Sequence, residues 1–78
     1  MPTADTIRRL GTRCGRADAT WDEVDRLRAD LDTLSRADLA SLLDTLGWGC
    51  RRADRRGMID TVYRRIAERL ESAQRCRF

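Results

Sequence analysis

Six arginines carry the clearest chemical signal in this chain: Arg51, Arg52, Arg55, Arg56, Arg65 and Arg69. The first four crowd into a short segment whose acid is Asp54. Arg65 and Arg69 follow one helical turn apart. Arg65 has Glu68 three residues on, whereas Arg69 has no acid three or four residues away on either side. A guanidinium donates two parallel hydrogen bonds to a phosphate from one planar fork. A strip running from the 51–56 segment onto Arg65 and Arg69 therefore predicts binding to a polyanion, DNA or RNA. Its affinity should fall steeply with salt.

The strip belongs to a wider sorting of charge. All 16 basic residues are arginine, and the chain has no lysine or histidine. Residues 1–16 hold four Arg against Asp5, a net +3; residues 17–45 hold three Arg against eight acids, a net −5; residues 46–78 hold nine Arg against four acids, a net +5. The overall +3 hides this basic–acidic–basic order. Two opposed faces are expected. The acidic one, Asp22, Asp25, Asp30 and Asp32 with Trp21 beside them, suits a protein partner with a basic surface. That alternative reading is a small bacterial or phage adaptor or inhibitor, for example of a host defence or regulatory complex. The same acids can instead meet the arginines across the fold. Exclusive use of Arg is what a high-GC genome produces, so it points to a bacterial, archaeal or viral source rather than to a mechanism.

Few other residues could do chemistry. Without histidine, the side chain that titrates nearest neutrality is missing. A chain of 78 residues buries only about 60% of its unfolded surface, which leaves little room for a deep groove. No enzymatic activity is expected. Cys14, Cys50 and Cys76 are odd in number and far apart, which fits free thiols in a reducing cytoplasm. A Cys50–Cys76 or Cys14–Cys76 bridge stays open. A zinc site would need a fourth ligand that no histidine can supply, so neither metal nor cofactor is expected. Met1 to Asp5 contain no apolar run, which predicts neither a signal peptide nor a membrane span. A cytoplasmic protein follows.

The elements that must position these groups are helical. Thr3 can cap a first helix with Asp5 in its first turn, Ile7 and Leu10 on one face and Gly11 as terminator. Two glycines mark a loop over 11–19. Thr20-Trp21-Asp22-Glu23 matches a capping box, and Val24, Leu27, Leu31 and Leu34 follow as one apolar stripe extended by Trp21. Ser35 opens a third helix with Leu39, Leu42, Leu43 and Leu46 inward and Gly47 at its end; Leu34 and Leu39 are placed to form a hydrophobic staple. A last helix puts Ile59, Val62, Ile66, Leu70 and Ala73 on one face, with Tyr63 at its edge. No repeat and no β alternation interrupts this order. The expected fold is all-α, one domain over 1–78, a compact bundle of three to four helices at about 3–11, 20–34, 35–46 and 56–75.

On the last helix, Asp60–Arg64, Arg64–Glu68 and Glu71–Arg75 are spaced as i,i+4 ion pairs, which leaves Arg65 and Arg69 free. Trp21 and Trp48 each sit beside an apolar helix and are expected to pack rather than to stack on bases. Phe78 can anchor a partner or fray. Any apolar surplus around Trp21 and the Val24–Leu34 stripe gives a homodimer its most suitable face.

From Leu34-Ser35-Arg36-Ala37-Asp38-Leu39, through Leu43 and Leu46-Gly47-Trp48, to Arg55-Arg56-Gly57-Met58-Ile59, Val62 and Ile66, the chain resembles the SAP and related helix–extended-loop–helix modules. It is also similar to the N-terminal module of the Rho transcription terminator. The resemblance covers residues 34–66. It implies DNA or RNA binding, with Arg51, Arg52, Arg55 and Arg56 on phosphates and Trp48 in the core. The loop here is longer and richer in Arg than that pattern, the last helix is longer, and the residues before Leu34 have no counterpart.

Overall fold

The computed structural model describes residues 3–49 and 54–76. Four helices form an all-α bundle: α1 (Ala4–Gly15), α2 (Trp21–Leu31), α3 (Arg36–Leu46) and α4 (Arg55–Arg75). No strand occurs among the described residues. No helix there is long and apolar enough to cross a membrane. With 21 residues, α4 spans about 30 Å and sets the long axis of a body measuring 41 × 21 × 19 Å. It packs against each of the other three helices. Trp21 meets Gln74, Arg28 meets Asp60 and Tyr63, and Asp32 meets Arg55, so α2 runs antiparallel to α4.

All four helix starts are capped as their sequences dictate. Thr3, Thr20, Ser35 and Asp54 each accept a hydrogen bond from the backbone N–H three residues on, which satisfies one orphan donor per helix. At Thr20 the box is complete, since the Glu23 carboxylate accepts the Thr20 N–H at 2.8 Å. Arg13 of α1 then donates to both oxygens of Glu23, at 2.8 and 3.3 Å. One carboxylate thus starts α2 and ties it to α1.

These bonds hold the Glu23 carboxyl below its ordinary value, first through the Thr20 N–H and then through Arg13. A depressed folded value favours folding above the ordinary Glu value of about 4.3. The contribution is lost as pH falls through the lowered folded value. Glu23→Gln should therefore show a shallower loss of stability between about pH 5 and about pH 2 than the unaltered chain. Urea denaturation across that range checks it; parallel curves for the two proteins would count against the role given to Glu23.

The helix ends depart from expectation in two places. Gly11 does not terminate α1, which continues to Gly15. Gly11 is instead buried against α4, where an added Cβ would lie 3.2 Å from Ile66 Cδ1. Its missing side chain lets two helices approach rather than ending one. The actual stop uses Ala17, in the left-handed region at φ 56°. Asp18 N–H donates to Arg13 O and Ala17 N–H to Cys14 O, the bond pattern that usually places glycine at this position. The Ala Cβ costs about 1 kcal/mol there. Gly47 at φ 76° closes α3 by the same bonds, with Trp48 N–H donating to Leu43 O. The second departure is α2, which ends at Leu31 rather than Leu34. Asp32 to Ser35 form a short turn, in which Thr33 N–H and Leu34 N–H each donate to the carbonyl three residues back.

The core holds the expected stripes: Ile7, Val24, Leu27, Leu31, Leu34, Leu39, Leu42, Leu43, Leu46, Ile59, Val62, Ile66 and Leu70, joined by Cys14, Ala19 and Met58. Both members of the Leu34–Leu39 staple are buried. Leu10, Trp48 and Tyr63 pack on its margin half-buried, and Ala73 is half-buried too. The Val24–Leu34 stripe is consumed by this core, so it offers no face to a second copy. Trp21, at 38% exposed, is not part of the core either; its Nε1 donates to the Gln74 side chain at 3.2 Å.

Candidate nucleic-acid interface

Of the six arginines, Arg51 and Arg52 lie outside the described residues. Arg55 is not free. Its Nε donates to Leu34 O at 2.9 Å, Nη1 pairs with Asp32 Oδ1 at 3.2 Å, and Nη2 donates to Asp32 O. The Asp54 cap starts α4 one residue earlier than expected and places this side chain against the α2–α3 turn. Arg55 therefore spends its donors on carbonyls of the α2–α3 turn, donors that a phosphate would otherwise need. No local spacing reveals this, because the partners lie more than 20 residues away. Arg55→Ala should cost about 1–2 kcal/mol, whereas Arg56→Ala, an exposed neighbour with no carboxylate within 4 Å among the described residues, should cost under about 0.5 kcal/mol. Urea midpoints of the two variants check this; equal midpoints would remove the clamp.

The remaining arginines do not form one strip. Arg56 lines a groove between α2 and α4 together with Asp25, Arg28, Asp32, Ile59 and Asp60. Arg65 and Arg69 line a different groove with Gly15, Trp48, Glu68 and Ser72. Nine residues at about 100° each put Arg56 and Arg65 on opposite sides of α4. The first groove is mixed in charge and internally paired. There Arg28 Nη2 lies 3.6 Å from Asp60 Oδ1 and its guanidinium sits 5.0 Å from the Tyr63 ring centre. Asp60 thus pairs with α2 rather than with Arg64. Of the three local pairs expected on α4, only Glu71–Arg75 is closed; Arg64 has no carboxylate within 4 Å among the described residues.

The second groove is basic. The Arg65 guanidinium lies over the Trp48 ring, 5.1 Å from its centre. This cation–π contact replaces the Arg65–Glu68 pair that the spacing allowed. The side chain of Arg69 passes over Gly11, where an added Cβ would lie at ordinary contact distance, 3.6 Å from Nη1. Neither guanidinium has a carboxylate within 4 Å among the described residues, and both side chains are exposed. Trp48 is held at the groove wall by the Gly47 stop: the left-handed turn folds the chain back so that Trp48 N–H reaches Leu43 O. Arg8 adds to this end of the bundle by donating to Thr45 O at 2.7 Å, which fixes the end of α3 on α1.

The acidic residues are also divided. Asp25 and Asp32 face the α2–α4 groove, while Asp30 lines a groove between α1 and α2 with Arg9, Arg13, Glu23 and Arg26. Asp32 is engaged by Arg55; Asp22, Asp25 and Asp30 have no cation within 4 Å among the described residues. Pairing across the bundle is thus real for Arg55–Asp32 and Arg28–Asp60, and leaves Arg65 and Arg69 untouched.

The described thiols are unpaired. Cys14 is fully buried, and burial pushes its thiol up, with the Glu23 carboxylate adding to the shift. Such a thiol resists ionisation and behaves as a small apolar core group. Cys76 is exposed at the rim of the basic groove, so the two are not bridged; Cys50 lies outside the described residues, as does Phe78. Among the described residues no three His, Cys, Asp or Glu side chains are gathered to hold a metal ion. Comparison of the chain with protein-family models, curated proteins and solved structures finds no match.

Proposed function

We propose that this chain is a small non-enzymatic binding module of a bacterial or phage cytoplasm that holds nucleic acid through α4. The observation that carries the reading is the groove of Arg65, Arg69 and Trp48. It presents two exposed arginines that no described carboxylate neutralises, in a chain whose other described arginines include several held in internal bonds. Two guanidinium forks one turn apart match successive phosphates of a backbone. Arg51 and Arg52 lie outside the described residues, Arg55 serves the fold, and Arg56 lies on the far side of α4. In this reading the resemblance of residues 34–66 to the SAP-like and Rho N-terminal-like modules implies the same class of ligand.

A salt-titrated binding assay against random DNA and RNA tests the reading. Binding at about 50 mM salt that weakens steeply with added salt is the expected result. No binding at that salt would sink it. The rival reading, a protein-binding adaptor or inhibitor, has one observation in its favour: Trp21 stays exposed beside Asp22 and Asp25, which have no cation within 4 Å among the described residues. In that case neutralising Asp22, Asp25 and Asp30 would abolish function and reversing Arg65 and Arg69 would not.

A further inference from the structure

We infer that the Trp48–Arg65–Arg69 groove takes single-stranded nucleic acid in preference to duplex; this rests on the nucleic-acid reading above and specifies its ligand. The groove has the parts for a base and its flanking phosphate together. Trp48 is half-buried at the wall with the Arg65 guanidinium over its ring. A planar cation already seated on an aromatic ring offers its outer face to a nucleobase, and stacking of this kind tolerates any base. The in-plane N–H groups of Arg65 still reach one phosphate, and Arg69, one turn along the same flank, takes the next. Arg16 follows Gly15 at the rim, exposed and without a carboxylate within 4 Å among the described residues.

The acid in the groove decides between strand forms. Glu68 lines it with Ser72. A surface that only tracked the phosphates of a duplex would be weakened by a carboxylate. An unpaired base has free N–H groups on its Watson–Crick edge, which Glu68 and Ser72 can accept. In a duplex those edges are paired and out of reach. Among the described residues no helix is placed as a duplex reader. The one long helix, α4, packs against α1, α2 and α3, so it does not stand free to enter a major groove. Its N-terminal turn, where a reading helix would present base contacts, spends Arg55 on the α2–α3 turn.

The test is tryptophan fluorescence of Trp21→Phe, which leaves Trp48 as the one tryptophan of the two. The ligands are oligo(dT) and oligo(U) of about 16 nucleotides and a hairpin duplex of equal charge, at about 50 mM salt. Quenching of Trp48 by the single strands, with at least about tenfold tighter binding than the duplex, is expected. Arg65→Lys keeps the charge and removes the planar fork, so it should lower single-strand affinity about fivefold or more and leave duplex binding unchanged. Equal affinity for both forms without quenching would overturn the inference and leave the nucleic-acid reading standing. No binding to either form would overturn both. If Trp21→Phe does not fold, anisotropy of labelled oligonucleotides with the unaltered chain and Arg65→Lys makes the same comparison.

Discussion

Reversing Arg65 and Arg69 together to Glu should weaken nucleic-acid binding by about a hundredfold or more at roughly 50 mM salt. Each lost phosphate contact removes one set of released counterions, so the slope of log affinity against log salt should become shallower by about 1.4 for a single strand and about 1.8 for a duplex. The folded state should be nearly indifferent. Both side chains are exposed, and among the described residues their one specific side-chain interaction is the Arg65–Trp48 cation–π pair, worth about 0.5–1 kcal/mol at an exposed site. Loss of binding with an unchanged circular dichroism spectrum is therefore the decisive pattern. Arg56→Glu is the matched control. It changes net charge in the same direction from the opposite side of α4 and should lower affinity only through the long-range field, by less than about fivefold. If Arg56→Glu proved as damaging as the double reversal, the binding surface would be the α2–α4 groove and not the Trp48–Arg65–Arg69 groove.

The largest effect on stability is expected from Leu70→Ala. Leu70 is fully buried on α4, the helix to which the other three attach. Truncating a buried leucine loses its transfer energy and leaves a cavity, at about 2–5 kcal/mol. A chain of this length has only about 4–12 kcal/mol to lose. The variant should therefore show a sharply lowered urea midpoint and, where the loss of about 5 kcal/mol meets a total near about 4 kcal/mol, should be largely unfolded at 37 °C. Leu70→Met, which conserves volume, should cost under about 1.5 kcal/mol. If both substitutions were tolerated equally, Leu70 would not be the closely packed residue that its burial indicates.

Much of the fold was legible because it depends on local spacing. Thr20-Trp21-Asp22-Glu23 specifies a helix start whatever surrounds it, since cap donor and acceptor lie within one turn. The stripes of α2, α3 and α4 recur at helical spacing, and nearly all of their residues are in the core. Gly47 needs only a left-handed residue to stop α3. Gly11 shows the limit of such reasoning. A glycine near a helix end reads as a stop, but this one is a point of close approach, a distinction set by Ile66 of α4.

Charge was the least legible feature, for the same reason. From the sequence alone came an all-helical chain, its caps, its apolar faces and an excess of arginine concentrated toward one end. Tertiary structure alone decided which arginines are available. Arg55 went to carbonyls of the α2–α3 turn, Arg28 took Asp60 from Arg64, and Arg65 settled on Trp48 rather than on Glu68. A guanidinium on a long, flexible stem reaches whichever acceptor the packing brings near. Caps and apolar periodicity act within a few residues, whereas ion pairs and cation–π contacts are chosen among partners that only the folded chain brings together.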